Sequence, residues 1–171
     1  NATVTTIAPT GSISIIAGCS SGIEPIFAIS FIRNVLGGTR LFETNPLFER
    51  MAKEMGFYSA RLLEEIARTG SVQKIAKVPE EIKKIFVTAL DIAPEWHVKM
   101  QAAFQKYTDN AVSKTVNMPN DATVEDVRMV FELAWKLKCK GVTVFRYGSK
   151  PEQVLYIGAV SYTHLTLPTK A

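Results

Sequence analysis

The chain has 171 residues, 47% of them hydrophobic, which is enough for one domain with a sizeable core. The formal net charge is only +4, and basic residues alternate with acidic ones along the helical segments, so we expect no nucleic-acid partner. No apolar run approaches the roughly 20 residues of a membrane span, so we expect no membrane partner either. Cys19 and Cys139 lack metal-ligand spacing, which predicts no metal site and a reduced, cytoplasmic protein.

The first segment, TVTTIAPTGSISIIAGCSSGIEP, runs from Thr3 to Pro25 and opens as a β-branched run that predicts a strand. The run breaks at a Pro-Thr-Gly-Ser turn, after which small and apolar residues predict a helix. The first N–H groups of a helix have no internal partner, so this handover predicts an anion site. Gly11 would let the backbone approach a phosphate, and Thr10, Ser12 and Ser14 could donate hydroxyl hydrogen bonds. An ordinary capped turn is the alternative, because no lysine completes a P-loop.

The middle of the chain reads as helices. The apolar stretch Ile26 to Val35 ends at a turn signal, Gly37-Gly38, and Asn45 then caps a helix that has Pro46 at its first position. Gly56 can divide this helix and Gly70 ends it. Steps of three and four predict that one stripe faces a core: Leu47, Met51, Met55, Tyr58, Leu62 and Ile66.

Two further helices are predicted before the last third of the chain. One begins at Pro79, with an inward face of Ile82, Ile85, Phe86 and Ala89. The other begins at about Pro94 and has a stripe of Trp96, Met100, Phe104 and Tyr107, which is more often core than a cofactor site.

A strand, a helix and a second strand follow in that order. The first strand is predicted at Ala111 to Val116, and the second at Val142 to Arg146. Thr123 caps the helix between them and Gly141 stops it. Its predicted inward face is Val127, Val130, Phe131, Ala134 and Trp135. This order predicts a βαβ unit with a parallel strand pair, and hence an α/β fold.

Four other side chains are candidates for a chemical role. His97 has no second histidine nearby, which argues against a metal site, and Glu24 is more typical of a solvated carboxylate than of an acid or base. Cys19 is more typical of a buried structural thiol than of a nucleophile. The lysines before Cys139 would favour its thiolate, but no partner base is evident.

Three segments resemble the catalytic subunit of ribonucleotide reductases. TIAPTGSISIIAGCSSGIEPIFA resembles the segment that binds the substrate phosphates; HVKMQAAFQKYTDNAVSKTVNMP and KGVTVFRYGS resemble the final barrel segments of the adenosylcobalamin-dependent class. The resemblance implies a ten-stranded α/β barrel of two parallel five-stranded halves, of which residues 1–160 would form the C-terminal part. The last eleven residues, SYTHLTLPTKA, resemble translated sequencing-adapter read-through, so we expect 161–171 to be a non-native tail.

The resemblance also implies the residues of the site. Pro9, Thr10, Gly11, Ser12 and Ile13 would line the pocket for the nucleotide phosphates. The family's radical cysteine lies in an Asn-x-Cys-x-Glu loop that does not occur here, and the cysteine pair that exchanges with thioredoxin is also absent. We therefore expect no catalytic residue in this segment and no reductase activity from it alone. The family is often dimeric, so a homodimer is possible.

Two details bear on the class of reductase. Lys138 stands where the family often has a glycine that closes the helix. The iron-dependent class passes its radical through adjacent tyrosines of the last barrel strand, whereas the matching strand here is centred on Val144-Phe145, with Tyr147 outside it. Phenylalanine has no phenolic O–H to lose, so adenosylcobalamin is the expected radical source. An iron-dependent reductase fragment and a non-catalytic nucleotide-binding domain are the alternatives.

Overall fold

The computed structural model describes residues 1–34, 40–149 and 155–157. Its helices are α1 (Gly11–Ala17), α2 (Pro46–Glu54), α3 (Ala60–Thr69), α4 (Glu80–Ile85), α5 (Pro94–Gln105) and α6 (Val124–Lys136). Its strands are β1 (Ser30–Asn34), β2 (Arg40–Thr44), β3 (Thr115–Met118), β4 (Thr143–Arg146) and β5 (Leu155–Tyr156).

The predicted βαβ unit is confirmed, although its first strand lies at Thr115–Met118 rather than at the predicted Ala111 to Val116. Strands β3 and β4 pair in parallel, with Thr115 opposite Thr143 and Met118 opposite Arg146. Helix α6 connects them and begins with a capping box, in which the Thr123 hydroxyl accepts from the Asp126 N–H and the Asp126 carboxylate accepts from the Thr123 N–H.

The end of α6 differs from the prediction. The helix stops at Lys136 rather than at Gly141, because Lys138 turns the chain with a φ of 59°. A left-handed conformation costs a lysine roughly 1 kcal/mol. The absence of a glycine at this position therefore leaves local strain just before β4.

A second, antiparallel sheet has the strand order β2-β1-β5. Ser30 lies opposite Thr44 in the β1–β2 pair, and their hydroxyls hydrogen-bond at 3.0 Å. Strands β1, β2 and β5 were not predicted from the sequence, in which Ile26 to Val35 was interpreted only as an apolar stretch. The predicted turn at Gly37-Gly38 and the tail at 161–171 lie outside the described residues.

Helix α2 begins and helix α3 ends where their capping residues predict. The Asn45 side chain accepts from the N–H groups of Leu47 and Phe48, and Gly70 ends α3 with a φ of 73°. The chain divides at Gly56, as predicted. These helices and α4 enclose one hydrophobic cluster, formed by Ile29, Phe48, Ala52, Leu62, Ile66, Val72, Ile75, Val78, Ile82 and Phe86.

The predicted inward faces of α2 and α4 were partly wrong. Leu47, Met55, Tyr58 and Ile85 are exposed, whereas Leu62, Ile66, Ile82, Phe86 and Ala89 are buried as predicted. On α2, Phe48 and Ala52 face the hydrophobic cluster instead. Because α2 and α3 are separate helices, a single periodic stripe drawn through both does not keep its register.

The inward faces of α5 and α6 need a larger correction. Trp96, Met100, Phe104 and Tyr107 are all exposed, as are Phe131 and Trp135 on α6. The two helices instead pack together through a second cluster made of Val98, Val116, Met118, Val130 and Ala134, with Val127 partly buried. The opposite, more polar face of α5 is therefore the interior one.

No helix within the described ranges is long and apolar enough to cross a membrane.

Candidate substrate-phosphate site

The segment before the candidate site is held against the start of β3. Ile7 pairs in parallel with Val112, and the Ser113 N–H donates to the Ile7 carbonyl at 2.8 Å. Asp109 fixes the preceding residues, since its carboxylate accepts from the Val4 and Thr5 N–H groups, each at 3.1 Å. The predicted opening strand is thus a short paired segment that enters the turn at a fixed position.

The strand-to-helix handover lies where the sequence predicts. Helix α1 begins at Gly11, and Thr10 precedes it with a φ of 52° and no side-chain capping bond. A positive φ is a genuine outlier for a β-branched residue such as threonine, and strain of this kind occurs at functional turns. A Cβ on Gly11 would meet no atom within 4 Å, so open space lies above the turn.

The five predicted site residues lie together in this turn. Thr10 is half-buried, whereas Pro9, Gly11, Ser12 and Ile13 are exposed. The hydroxyl of Ser14, also considered for the site, is buried and donates to the Gly11 carbonyl at 2.7 Å. It therefore supports the first turn of α1 from inside and is not directed at a ligand.

The loop after α1, residues 18–25, folds back onto the segment that enters the turn. Gly22 has a φ of 51°, and a Cβ there would lie 3.3 Å from the Ala8 carbonyl oxygen. Only a glycine fits this close approach without strain. Two residues later, the Glu24 carboxylate accepts from the Thr115 N–H at 2.6 Å. The loop is therefore attached to the start of β3.

Half-buried Glu24 and the buried Lys114 and His97 form a network, which we call the lysine network. Lys114 Nζ donates to the Glu24 carboxylate at 2.8 Å, to His97 Nδ1 at 2.7 Å and to the Thr115 carbonyl at 2.5 Å. His97 Nε2 donates to the Ala89 carbonyl at 3.0 Å, which fixes a neutral imidazole with its proton on Nε2. Lys114 is 3% exposed and His97 1%.

Burial sets the direction of the pKa shifts in this network. It lowers the pKa of His97 from its usual value of 6.5, and the positive charge of Lys114 lowers it further. Burial also lowers the pKa of Lys114, while the hydrogen bond to Glu24 and its negative charge act to raise it.

A groove of about 680 Å³ runs along α5 beside the network. Its apolar lining includes Trp96, Met100 and Phe104, the stripe that was predicted to be core. Glu24, His97 and Lys114 contribute its polar lining. The expectation that Glu24 is an ordinary solvated carboxylate was wrong, because it is paired with a buried lysine.

The two cysteines lie in different surroundings. Cys19 is exposed, contrary to the prediction, and burial raises the pKa of Cys139 despite the nearby lysines. Among the described residues, no group of three His, Cys, Asp or Glu side chains could hold a metal ion. Lys114 was not predicted as a functional residue. It alternates with Val112 and Val116 in the predicted strand, and this period of two placed all three on one face, which is buried.

A family model described as "Ribonucleotide reductase, barrel domain" matches residues 1–145. The chain belongs to the ribonucleotide reductase family. The resemblance seen in the three sequence segments is thereby confirmed, and so is the fold, a part of the α/β reductase barrel.

Curated reductases show the same relationship. The chain is 58% identical over 158 residues to a vitamin B12-dependent ribonucleoside-diphosphate reductase of Thermoplasma acidophilum, covering 92% of this chain and 20% of that protein. It is 53% identical to the protein of the same name from Mycobacterium tuberculosis, covering 93% and 22%. A vitamin B12-dependent ribonucleotide reductase of Streptomyces clavuligerus is 33% identical, covering 91% and 17%. The chain thus spans about a fifth of the length of these reductases.

A solved reductase structure has the same fold. The alpha subunit of the class Id ribonucleotide reductase of Actinobacillus ureae superposes with a TM-score of 0.68 at 25% identity, covering 82% of this chain and 26% of that one. The superposition agrees with the family assignment and with a partial α/β barrel.

Proposed function

We propose that this chain is the C-terminal barrel segment of an adenosylcobalamin-dependent ribonucleoside-diphosphate reductase. The full-length enzyme would convert ribonucleotides to deoxyribonucleotides by thiyl-radical chemistry. The observation that carries the proposal is the family match across residues 1–145, together with the names of the two most similar reductases described above. Those names favour the cobalamin class over the iron-dependent class and over a non-catalytic nucleotide-binding domain.

Within this enzyme, the segment would supply the substrate-phosphate site. Pro9, Thr10, Gly11, Ser12 and Ile13 would line the pocket for the diphosphate. The left-handed Thr10, the start of α1 at Gly11 and the open space above Gly11 support this assignment. Free backbone N–H groups and the Ser12 hydroxyl are donors suited to phosphate oxygens.

Both ring nitrogens of His97 are engaged, so this histidine does not offer an axial ligand for the cobalt of a cobalamin. Adenosylcobalamin would supply the radical when it is bound to the full-length reductase. The radical cysteine and the cysteine pair that receives electrons from a thioredoxin-type reductant would lie outside this segment. A homodimer and a cytoplasmic location belong to the same proposal.

The Ser12→Ala substitution in the full-length reductase tests the phosphate site. Losing one phosphate hydrogen bond should weaken substrate binding by about 1 kcal/mol, which raises KM for cytidine diphosphate about fivefold. Ser20→Ala, at an exposed serine beyond the other end of α1, is the matched control and should leave KM unchanged. An unchanged KM for Ser12→Ala would argue against the site.

A further inference from the structure

Lys114 is the most deeply buried charged side chain near the candidate site. Its ammonium group has three hydrogen-bond partners, one each from the loop after α1, helix α5 and strand β3: Glu24, His97 and Thr115. All three donors of the ammonium are therefore used, and the group is held at one point where these three parts of the chain meet.

We propose that Lys114 is a positioning residue for the substrate-phosphate turn, acting through Glu24. Lys114 fixes one carboxylate oxygen of Glu24, and the Thr115 N–H fixes the other at 2.6 Å. The loop that carries Glu24 is thereby locked onto β3 in one register.

The locked loop reaches the turn through Gly22. This glycine lies against the Ala8 carbonyl and the Ile7 side chain, immediately before Pro9 and Thr10. The Ile7 carbonyl also accepts a hydrogen bond from the N–H of Ser113, the residue next to Lys114. The segment that enters the turn is therefore held between the loop and the start of β3, and Lys114 controls how these two surfaces meet.

Stability alone does not account for a charge at this point. Burying an ion pair carries a desolvation cost, and well-packed apolar residues in its place are often neutral or stabilising. A charged network that requires three partners does, however, admit only one arrangement of the loop. A single loop arrangement would hold the strained turn at Thr10 so that its hydrogen-bond donors keep a fixed geometry.

The test compares Lys114→Met, Glu24→Gln and the double variant in the full-length reductase. Because the inference rests on the proposed phosphate site, the measured quantity is KM for cytidine diphosphate, with kcat and the melting temperature determined alongside. We expect each single variant to raise KM on the order of tenfold or more while kcat changes little. The double variant should be no worse than either single one, because both remove the same contact.

Two further variants separate positioning from general damage. Lys77→Met, at an exposed lysine, is the matched control and should behave as the wild type. Lys114→Arg keeps the charge and the donors, and should recover part of the affinity. A purely structural role would instead reduce the amount of folded enzyme, so the apparent kcat would fall at constant KM. That result, or additive effects in the double variant, would overturn the proposal.

Failure of the proposed function is distinguishable from failure of this inference. If Ser12→Ala leaves KM unchanged, the phosphate site itself is wrong. If Ser12→Ala raises KM and Lys114→Met does not, the site stands and the positioning role is refuted. Should Lys114→Met fail to fold, Glu24→Gln alone decides the question, because it keeps the size and one acceptor of the side chain.

Discussion

The side-chain amide of Gln101 donates a 2.7 Å hydrogen bond to the carbonyl oxygen of Gly141. The same nitrogen donates to the Val112 carbonyl at 3.0 Å, so one buried side chain on α5 joins the approaches to β3 and β4. Gln105, one turn later, accepts from the Lys140 N–H at 3.2 Å. The parallel strand pair is thus fixed to α5 by polar contacts as well as by the hydrophobic cluster.

Replacement of Gln101 should be strongly destabilising. Gln101→Leu keeps the approximate size of the side chain but leaves the carbonyl of buried Val112 without this donor, at a cost of about 1–3 kcal/mol, and also removes the bond to exposed Gly141. Gln101→Glu should also destabilise, since it places a carboxylate against the same carbonyls. Urea unfolding of the full-length reductase would measure both. A tolerated Gln101→Glu would show that these bonds contribute little.

Acid should destabilise the protein through His97. The folded pKa is lowered by burial and by Lys114, whereas the unfolded histidine takes up a proton near its usual value of 6.5. The stability contributed by neutral His97 is therefore complete above pH 6.5 and is lost as the pH falls below it toward the lowered folded value. Carboxylates contribute an acid response as well, so the comparison must be between variants.

His97→Gln provides that comparison, because glutamine can keep both hydrogen bonds without titrating. Melting temperatures would be measured from about pH 7.5 to about pH 5, and the wild type should lose stability more steeply than the variant. Parallel curves for the two proteins would mean that His97 does not titrate differently in the folded and unfolded states.

Lys138→Gly should stabilise the protein by up to about 1 kcal/mol, because glycine adopts a positive φ without the steric cost that a lysine bears. The φ of 59° at this position is the basis of the expectation. Lys136→Gly is the control, since a glycine inside the last turn of α6 should destabilise by about 1 kcal/mol. If both substitutions lowered the melting temperature, the left-handed lysine would not be strained.

The full-length protein should require added adenosylcobalamin and no second radical-generating subunit. Phe145 in β4 has no phenolic O–H, and the Tyr147 hydroxyl lies beyond the strand, donating to the Ile157 carbonyl at 2.9 Å. Tyr147→Phe should therefore retain most of the turnover. Reductase activity in a cobalamin-free assay with an iron-loaded partner subunit would refute this assignment.

The sequence predicted best those helix ends that are marked by capping residues. Asn45-Pro46, Gly70 and the Thr123–Asp126 box define helix ends locally, because capping depends only on neighbouring residues. The strand-to-helix handover at Thr10 and Gly11 was found for the same reason. The family resemblance rested on long segments and did not depend on the predicted faces.

The faces of the helices could not be predicted in the same way. On α5, the aromatic stripe had the better apolar periodicity, yet His97, Gln101 and Gln105 point inward because each finds a specific polar partner. Those partners are Lys114 and carbonyl groups of the loops that flank α5 and precede β4, which hydrophobic periodicity does not indicate. Burial of polar side chains is decided by tertiary hydrogen bonds, and hydrophobic periodicity contains no information on them.

The two hydrophobic clusters have a consequence for the order of assembly. One draws on residues between Ile29 and Phe86 and the other on residues between Val98 and Val144, so neither depends on the other along the chain. Contacts between residues close in sequence close small loops and form rapidly. The bonds from Glu24 to Lys114 and Thr115 instead span about ninety residues. We therefore expect the turn at Thr10 to acquire its final geometry late in folding, after both clusters have formed.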